Sequence, residues 1–311
     1  DLRAEFGGDG RRWVWLGQSL ENRSLTSAGQ TLRGGTGNDI QMGALGGDVF
    51  NDGGTAEGND TIVADLGFMM VDFNYRTPLY VESFGRRGGG NDSIYLGTGS
   101  NIVIAGASDD TVSGNDQADS FNIVLGDNGA IKFQSEMTDV DTRPGANNVS
   151  ENLTLRANLA NANAPGYSNH MVEYIRTEQD EAPEDGRLGT AQSGMAGNDT
   201  INLSSGSGVV IGGWGADTIT MSAKASVESN TRYIAGDHAE LIGDNNGGIV
   251  AFRTLDTVRA NGGDDFIQIG AQSDLESLNM GRNYVMAGMG ADTVLISAGL
   301  DDAGVLRFGA A

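Results

Sequence analysis

A turn rich in glycine and aspartate recurs at intervals of nine residues along this chain. Its clearest copy, residues 212–220, reads GGWGADTIT. Two positions after each such aspartate the residue is mostly apolar, as at Ile94, Val112 and Ile219. Glycine allows the tight, partly left-handed turn, and the apolar residue fits a short buried strand. A flexible glycine-rich linker would not keep turns and apolar residues in step.

The aspartates form three rows. Asp92 and Asp110 lie eighteen residues apart, with Asn101 in the intermediate position and Asp119 nine residues further on. Asp199 and Asp217 are also eighteen apart, and Gly208 occupies the position between them. The last row, in steps of nine, contains Asp265, Asp274, Asn283, Asp292 and Asp301. The spacing is imperfect near the N-terminus, where Ile40 follows Asp39 directly and Asp60 comes 21 residues later.

A longer repeat lies over the short one. Residues 90–133 and 197–252 have similar blocks, including GDNG at 126–129 and GDNN at 243–246. Residues 63–73 resemble a degenerate copy of the strand around GDNG. We expect an N-terminal partial repeat or cap at 1–33, a super-repeat at 34–138, a polar excursion at 139–193, and a second and a partial third super-repeat at 194–311. The chain lacks an initial Met and starts and ends within the pattern, so we expect a segment of a longer array or a processed product.

The composition restricts the classes of function. A net charge of −23 disfavours nucleic acid and anionic membrane surfaces as partners. The chain has no cysteine, which excludes disulfides and thiolate chemistry, and no apolar run long enough to span a membrane. Its two histidines, His170 and His238, belong to no H-E-x-x-H motif, and no G-x-S-x-G is present. We therefore expect no enzyme.

Two stretches depart from the repeat. Residues 139–193 replace the glycine–aspartate turns by Asn, Ala and Pro, although Val172, Tyr174 and Ile175 favour a returning strand. This excursion is either a tolerated surface insertion or a loop that contacts a partner. The basic and aromatic stretch Arg11–Trp15 could pack on a neighbouring coil, cap an end or contact a sugar, and packing is favoured.

The nonapeptides resemble those of the RTX family, the haemolysin-type calcium-binding repeats, over most of residues 34–298. The resemblance implies an all-β fold, a parallel β-roll or β-solenoid in which two nonapeptides make one coil. It implies several Ca²⁺ ions between stacked turns, held by aspartate carboxylates and backbone carbonyls. It pairs Asp92 with Asp110, Asp199 with Asp217, and Asp274 with Asp292, and places Asp265, Asn283 and Asp301 on the opposite edge. Asn101 would share a site with Asp119, whereas the two GDNG-type turns, with Asp127 and Asp244, either bind calcium or form Asx turns.

These features predict a calcium-dependent structural module of a secreted or cell-surface bacterial repeat protein, which folds when calcium neutralises its aspartates. The partners expected are calcium and neighbouring repeats or other copies of the chain. One alternative is a glycan- or protein-binding module on a calcium-stabilised roll. Another is a carbohydrate-active parallel β-helix enzyme. The predicted metal ligands are Asp39, Asp60, Asp92, Asn101, Asp110, Asp119, Asp199, Asp217, Asp265, Asp274, Asn283, Asp292 and Asp301.

Overall fold

The computed structural model consists of β-strands and turns, and its described residues include no helix, hence none that could cross a membrane. It describes residues 2–6, 12–17, 29–51, 58–72, 77–83, 89–114, 120–133, 172–177, 197–204, 206–222, 231–243, 249–255, 262–270, 282–296, 299–300 and 306–307. Three sheets of seven or eight strands account for all but the last two strands, which pair with each other.

A seven-stranded parallel sheet, the middle sheet, has the strand order β22-β18-β16-β12-β10-β6-β4. Its strands are β4 (Ile40–Met42), β6 (Thr61–Val63), β10 (Ile102–Ile104), β12 (Phe121–Leu125), β16 (Ser207–Ile211), β18 (Thr231–Ala235) and β22 (Arg282–Met286). Several strands are continuous apolar runs, and every residue of Ile102–Ile104 is buried. Burial on both faces explains this pattern, which is typical of parallel sheets covered on two sides.

An eight-stranded parallel sheet, the outer sheet, has the strand order β23-β21-β17-β15-β11-β9-β5-β3. Its strands are β3 (Thr31–Leu32), β5 (Val49–Asn51), β9 (Ser93–Leu96), β11 (Thr111–Gly114), β15 (Thr200–Leu203), β17 (Thr218–Met221), β21 (Phe266–Ile269) and β23 (Thr293–Ile296). Burial alternates along these strands: Ile94 and Leu96 point inward, whereas Tyr95 is exposed. One face is therefore solvated.

An antiparallel sheet of eight strands covers the other face of the middle sheet. It contains β1 (Leu2–Phe6), β2 (Arg12–Gly17), β7 (Gly67–Asp72), β8 (Thr77–Ser83), β13 (Gly129–Phe133), β14 (Val172–Thr177), β19 (Ala239–Gly243) and β20 (Ile249–Thr254). Trp13–Trp15 belongs to β2, which pairs with β1 and β7. Two further strands, β24 (Gly299–Leu300) and β25 (Leu306–Arg307), pair with each other.

The strand order repeats in groups of six. The chain runs outer–middle–outer–middle and then makes an antiparallel hairpin, in β3–β8, β9–β14 and β15–β20. Strands β21–β23 begin the same order again. The all-β fold with stacked parallel coils confirms the predicted roll, and β14 confirms the returning strand near residue 172. The antiparallel sheet was not predicted.

Two apolar cores hold the three layers together. One, between the outer and middle sheets, includes Ile94, Ile201 and Val210. The other, between the middle and antiparallel sheets, includes Ile123 and Ile131. Each coil adds one layer of side chains to both cores, so the turns at the sheet edges set how the coils stack.

Candidate metal centre

One long edge of the outer sheet carries an uninterrupted column of aspartates, which we call the acidic edge. Each aspartate lies directly before an outer strand, and because these strands are parallel and in register, their first residues stack. The column contains, in spatial order, Asp48, Asp92, Asp110, Asp199, Asp217, Asp265 and Asp292.

Backbone hydrogen bonds fix one oxygen of each carboxylate. The amide N–H of Asp92 donates to Oδ1 of Asp110 over 2.7 Å, and that of Asp110 to Oδ1 of Asp199 over 2.8 Å. The same contact joins Asp199 to Asp217 at 2.8 Å and Asp265 to Asp292 at 3.0 Å. Every carboxylate is thus held in one orientation by the preceding coil.

In four of these carboxylates the second oxygen has no hydrogen-bond partner, whereas Oδ2 of Asp48 accepts the N–H of Ala44 over 2.8 Å. The Oδ2 atoms of Asp92, Asp110, Asp199 and Asp217 are buried and accept no hydrogen bond. A buried carboxylate oxygen without a donor is costly, and native structures pair such groups with protein donors, water or a cation. The acidic edge therefore presents regularly spaced anionic oxygens that need a positive partner.

The electrostatics of these carboxylates agree with that need. Burial, with smaller contributions from other groups, raises the pKa of Asp92 to about 7 and that of Asp199 to about 8. Burial first, and then the neighbouring Asp199, raises the pKa of both Asp110 and Asp217 well above the usual range. Negative charge here is unfavourable unless a cation offsets both the burial and the repulsion.

Backbone carbonyls meet the carboxylates beside turn glycines. A Cβ atom at Gly212 would lie 2.1 Å from Oδ2 of Asp217 and 2.3 Å from the carbonyl oxygen of Gly236. At Gly126 it would lie 2.2 Å from Oδ2 of Asp199 and 2.4 Å from the carbonyl oxygen of Gly212. These positions require glycine, because any side chain would fill the space where the two kinds of oxygen approach each other.

The donor set fits a hard cation that accepts many oxygens. Among the described residues, no three acidic or histidine side chains converge on one point. A cation must therefore complete its coordination with backbone carbonyls, which calcium accepts readily at six to eight ligands. Magnesium, with its strict octahedral geometry and tightly held waters, suits such backbone cradles less well.

The opposite edge, where the chain enters the middle sheet, is the mixed edge. Its column contains Asp39, Asp60, Asn101, Asn122, Gly208, Arg232 and Asn283. The N–H of Asp39 donates to Oδ1 of Asp60 over 2.8 Å, and Oδ2 of Asp39 is buried without a hydrogen bond. Only this first part of the column repeats the carboxylate pattern of the acidic edge.

In the central part of the mixed edge, the side chains hydrogen-bond to each other and to the backbone. Oδ1 of Asn101 accepts the N–H of Asp60 at 3.0 Å, and its Nδ2 donates to the carbonyl of Gly99 and to Oδ1 of Asn122. Further along, Gly208 contributes no side chain, and the next position is Arg232, which is 1% exposed. The Arg232 guanidinium donates to the carbonyl of Gly206 at 2.9 Å and to Oδ1 of Asn283 at 3.2 Å.

The structure brings the pairs Asp92–Asp110 and Asp199–Asp217 together, as their spacing predicts. The predicted edge of Asp265 is wrong. Asp265 stacks against Asp292 on the acidic edge, while Asn283 lies on the mixed edge, because the two aspartates are 27 positions apart in the sequence instead of the 18 of a regular coil. Asp119, Asp274 and Asp301 lie outside the described residues, as do His170, Asp244 and nearly all of the excursion.

Several residues of both columns were missed. Asp48 lies nine residues after Asp39 and two before buried Phe50, so the nine-residue spacing could have identified it. The GDNG turn at 126–129 follows β12, the second middle strand of the group β9–β14. In the group β15–β20 the equivalent turn is the β18–β19 turn with Asp237, and not the stretch around Asp244. His238, in that turn, is buried, contacts Thr177 through Nδ1 and packs against the Trp214 ring.

Part of the chain is similar to a known repeat family. The family model described as the RTX calcium-binding nonapeptide repeat matches it in four copies, over residues 87–121, 193–220 and 255–275. The matched stretches include Asp92, Asp110, Asp199, Asp217 and Asp265 of the acidic edge. No curated protein and no solved structure matches the chain.

Proposed function

We propose, from the premise that this chain carries RTX calcium-binding nonapeptide repeats, that it is a calcium-dependent structural module of an extracellular bacterial repeat protein. The observation that carries the proposal is the row of four buried Oδ2 atoms on the acidic edge, those of Asp92, Asp110, Asp199 and Asp217, each on a carboxylate oriented by a backbone N–H and itself accepting no hydrogen bond. The repeats are structural calcium-binding units, and their regular stacking supports a stiff module.

Calcium couples binding to folding in this proposal. Asp92, Asp110, Asp199, Asp217, Asp265 and Asp292 hold the ions together with turn carbonyls, and Asp39 and Asp60 form a further pair on the mixed edge. Without the ions, stacking the coils forces like charges together at low dielectric. An ion that binds only the stacked form adds its binding free energy to stability.

The proposed setting is outside the cell. Extracellular calcium modules bind at about 10⁻⁴–10⁻³ M, well above the calcium concentration at which cytosolic sensors respond. A chain that needs such concentrations stays unstacked during export and folds afterwards. The net charge of −23 and the absence of cysteine agree with this setting. We propose that the parent protein is an adhesin, a surface layer or a filament. We also predict self-assembly through further coils, which sedimentation velocity in calcium would detect.

Circular dichroism during a calcium titration tests the proposal. We expect weak β signal in EGTA, a cooperative rise in β content towards millimolar Ca²⁺, and little response to Mg²⁺ at the same ionic strength. The magnesium titration controls for charge screening. An unchanged β signal after chelation, with no heat of calcium binding in calorimetry, contradicts the proposal.

A further inference from the structure

The turns of the acidic edge are of two kinds. In direct turns the chain passes from a middle strand straight to an outer strand, at residues 43–48, 105–110, 212–217 and 287–292. In split turns it leaves the middle strand, makes a hairpin in the antiparallel sheet and only then returns to the outer sheet. The split turns leave at residues 64–66, 126–128 and 236–238, and they return at 89–92, 197–199 and 262–265.

The two halves of a split turn occupy the place of one direct turn. In the leaving half, Asp127 donates its N–H to the carbonyl of Gly212, and Gly213 donates to the carbonyl of Gly236, so the halves stack on the direct turn at 212–217. In the returning half, Gly262 bridges to Gly215, and the N–H of Asp217 donates to Asp265. The hairpin is thus inserted within a nonapeptide turn.

Each split turn carries an additional aspartate in its leaving half. Direct turns have Ala or Gly at their second position, at Ala44, Gly106, Gly213 and Gly288. Split turns have Asp65, Asp127 and Asp237 there. Each carboxylate accepts an N–H from the third residue of the next direct turn: Asp65 from Ala107 over 2.8 Å, Asp127 from Trp214, and Asp237 from Met289.

Asp65 shows that this hydrogen bond uses only half of the carboxylate. The residue is 3% exposed, and its Oδ1 is buried without a hydrogen-bond partner. A Cβ atom at Gly89 would lie 2.3 Å from Oδ2 of Asp65 and 2.2 Å from the carbonyl oxygen of Ala107. As at the nonapeptide sites, a carboxylate oxygen and a carbonyl oxygen approach each other beside a glycine, but here that carboxylate oxygen also accepts the N–H of Ala107, and the oxygen without a donor is Oδ1.

The charges around Asp65 add a second reason. Burial, and then the carboxylates of Asp92 and Asp48, raise its pKa to about 8 despite the hydrogen bond from Ala107. A side chain needed only to accept one N–H could be Asn or Ser at much lower cost. Instead all three split turns place an acid beside the carboxylates of the acidic edge.

We propose that Asp65, Asp127 and Asp237 are calcium ligands of a second kind, one for each inserted hairpin, which bind the ions of the acidic edge at the split turns. The inference rests on the proposed function. Each carboxylate supplies an oxygen ligand at a turn from which the inserted hairpin displaces other turn residues. Inserting the antiparallel sheet is thereby compatible with an unbroken column of ions.

Paired charge-neutral variants test this inference. Asp65→Asn combined with Asp237→Asn keeps an oxygen that can accept each backbone N–H but removes two charges. The matched control is Asp109→Asn combined with Asp264→Asn. These acids are exposed and also accept backbone N–H groups of the next coil, from Asn198 at 2.8 Å and from Ala291 at 2.7 Å. Both doubles change the net charge equally.

Isothermal titration calorimetry with Ca²⁺ gives the number of ions and their affinities. We expect the Asp65/Asp237 double variant to bind fewer ions, or to need about tenfold more calcium, as is typical when groups at a metal site are lost. The control double should match the original chain. Equal ion number and affinity in both doubles would overturn the inference. If the original chain binds no calcium, the proposed function itself fails.

Terbium luminescence gives a readout that does not require complete folding. The backbone N–H of Trp214 donates to Asp127, so Tb³⁺ bound at Asp127 should lie close enough to the Trp214 side chain to be sensitised by its excitation. We expect Asp127→Asn to reduce the sensitised emission severalfold and Asp264→Asn to leave it unchanged. Undiminished emission from Asp127→Asn would show that the carboxylate only caps the turn.

Discussion

The two edges of the roll achieve the same stacking with different chemistry. On the acidic edge, seven successive positions are aspartates, and the second oxygens of Asp92, Asp110, Asp199 and Asp217 accept no hydrogen bond. On the mixed edge, the same structural positions pass from carboxylates to amides, then to Gly208 and to the buried Arg232. Parallel coils therefore do not require a metal at every turn; they require that the polar groups of each turn be satisfied.

Arg232 makes the contrast most clearly. Its guanidinium fills space at the edge next to Gly208 and donates to a backbone carbonyl and an amide oxygen. This positive charge belongs to a side chain, so a chelator such as EGTA cannot remove it. The comparison predicts that calcium removal opens the acidic edge first, while contacts of the mixed edge depend on side-chain identity alone.

The largest effect is expected from removing acidic-edge carboxylates. The double variant Asp199→Ala, Asp217→Ala should lose about 3 kcal/mol of calcium-dependent stability for each ion lost, the contribution of an ion present at about a hundredfold above its Kd, as at about 10 mM calcium with a Kd of about 10⁻⁴ M. The matched mixed-edge variant, Asn101→Ala with Asn122→Ala, should lose about 1–3 kcal/mol at every calcium concentration. Urea unfolding at several calcium concentrations separates the two. Equal calcium dependence in both variants would contradict the comparison.

Replacing a turn glycine by alanine should weaken calcium binding on the acidic edge but not on the mixed edge. In Gly212→Ala the new methyl group would overlap Oδ2 of Asp217 and the carbonyl of Gly236, so we expect a loss of about 3 kcal/mol and weaker calcium binding. Gly35, in a mixed-edge turn, has a φ of +97°, and a methyl group added to it would meet no atom within 4 Å. Gly35→Ala should cost about 1–2 kcal/mol of backbone strain without changing calcium affinity. Calorimetry and thermal unfolding provide both values.

Replacing the built-in cation should destabilise the protein regardless of calcium. Arg232→Met keeps the apolar stem but leaves the carbonyl of Gly206 and Oδ1 of Asn283 without this donor, at an expected cost of about 2–3 kcal/mol. Arg253→Met is the control, because Arg253 is exposed and its ion pair with Glu240 should contribute about 1 kcal/mol or less. Denaturant midpoints in EGTA and in calcium should shift by the same amount for Arg232→Met. A shift seen only in calcium would contradict a metal-independent role.

Much of the acidic edge could be predicted from the sequence because aspartate, glycine and an inward apolar residue keep fixed spacing within one turn and strand. Asp92, Asp110 and Ile94 follow that rule. Counting in nines fails wherever a hairpin or loop is inserted, since the spatial neighbour then lies an unpredictable number of residues away. This is why Asp265 was assigned to the wrong edge. It is also why the neighbour of Asn101 in the column is Asn122, 21 residues later, and not Asp119 as the resemblance implied.

The antiparallel sheet could not be predicted for a related reason. Its strands, such as Gly67–Asp72 and Gly129–Phe133, have no nonapeptide turn of their own, and their partners across the sheet are set by the stacking of separate coils. Arg232 was missed because the local sequence does not show that it shares a column with Gly208. Only the register of β16 and β18 brings the two positions together.

Acid should partly replace calcium on the acidic edge. Burial raises the folded-state pKa of Asp92 to about 7 and of Asp199 to about 8, against 3.8 as the ordinary value. The folded form therefore binds more protons than the unfolded chain between these values. The stability of the calcium-free fold is fully present below about pH 4 and is lost as the pH rises through 7 and 8.

Circular dichroism in EGTA should accordingly show more β structure at pH 5 than at pH 8. Calcium titrations should require more calcium at the lower pH, because protons and calcium compete for the same oxygens. The Asp199→Ala, Asp217→Ala variant serves as the control and should have a weaker pH dependence. A calcium-free fold that becomes less stable on acidification from pH 8 to pH 5 would contradict this sign.

The smallest expected effect comes from converting one mixed-edge position into an acidic one. In Asn101→Asp, the two weak bonds that Nδ2 donates to Gly99 and Asn122 are lost, and a charge is placed next to the Asp60 position. Without calcium we expect a loss of about 1 kcal/mol. With millimolar calcium the loss should shrink or reverse, because Asp60 and the new carboxylate then form a pair like Asp92 and Asp110. If urea unfolding shows the same loss with and without calcium, the mixed edge differs from the acidic edge in more than its side chains.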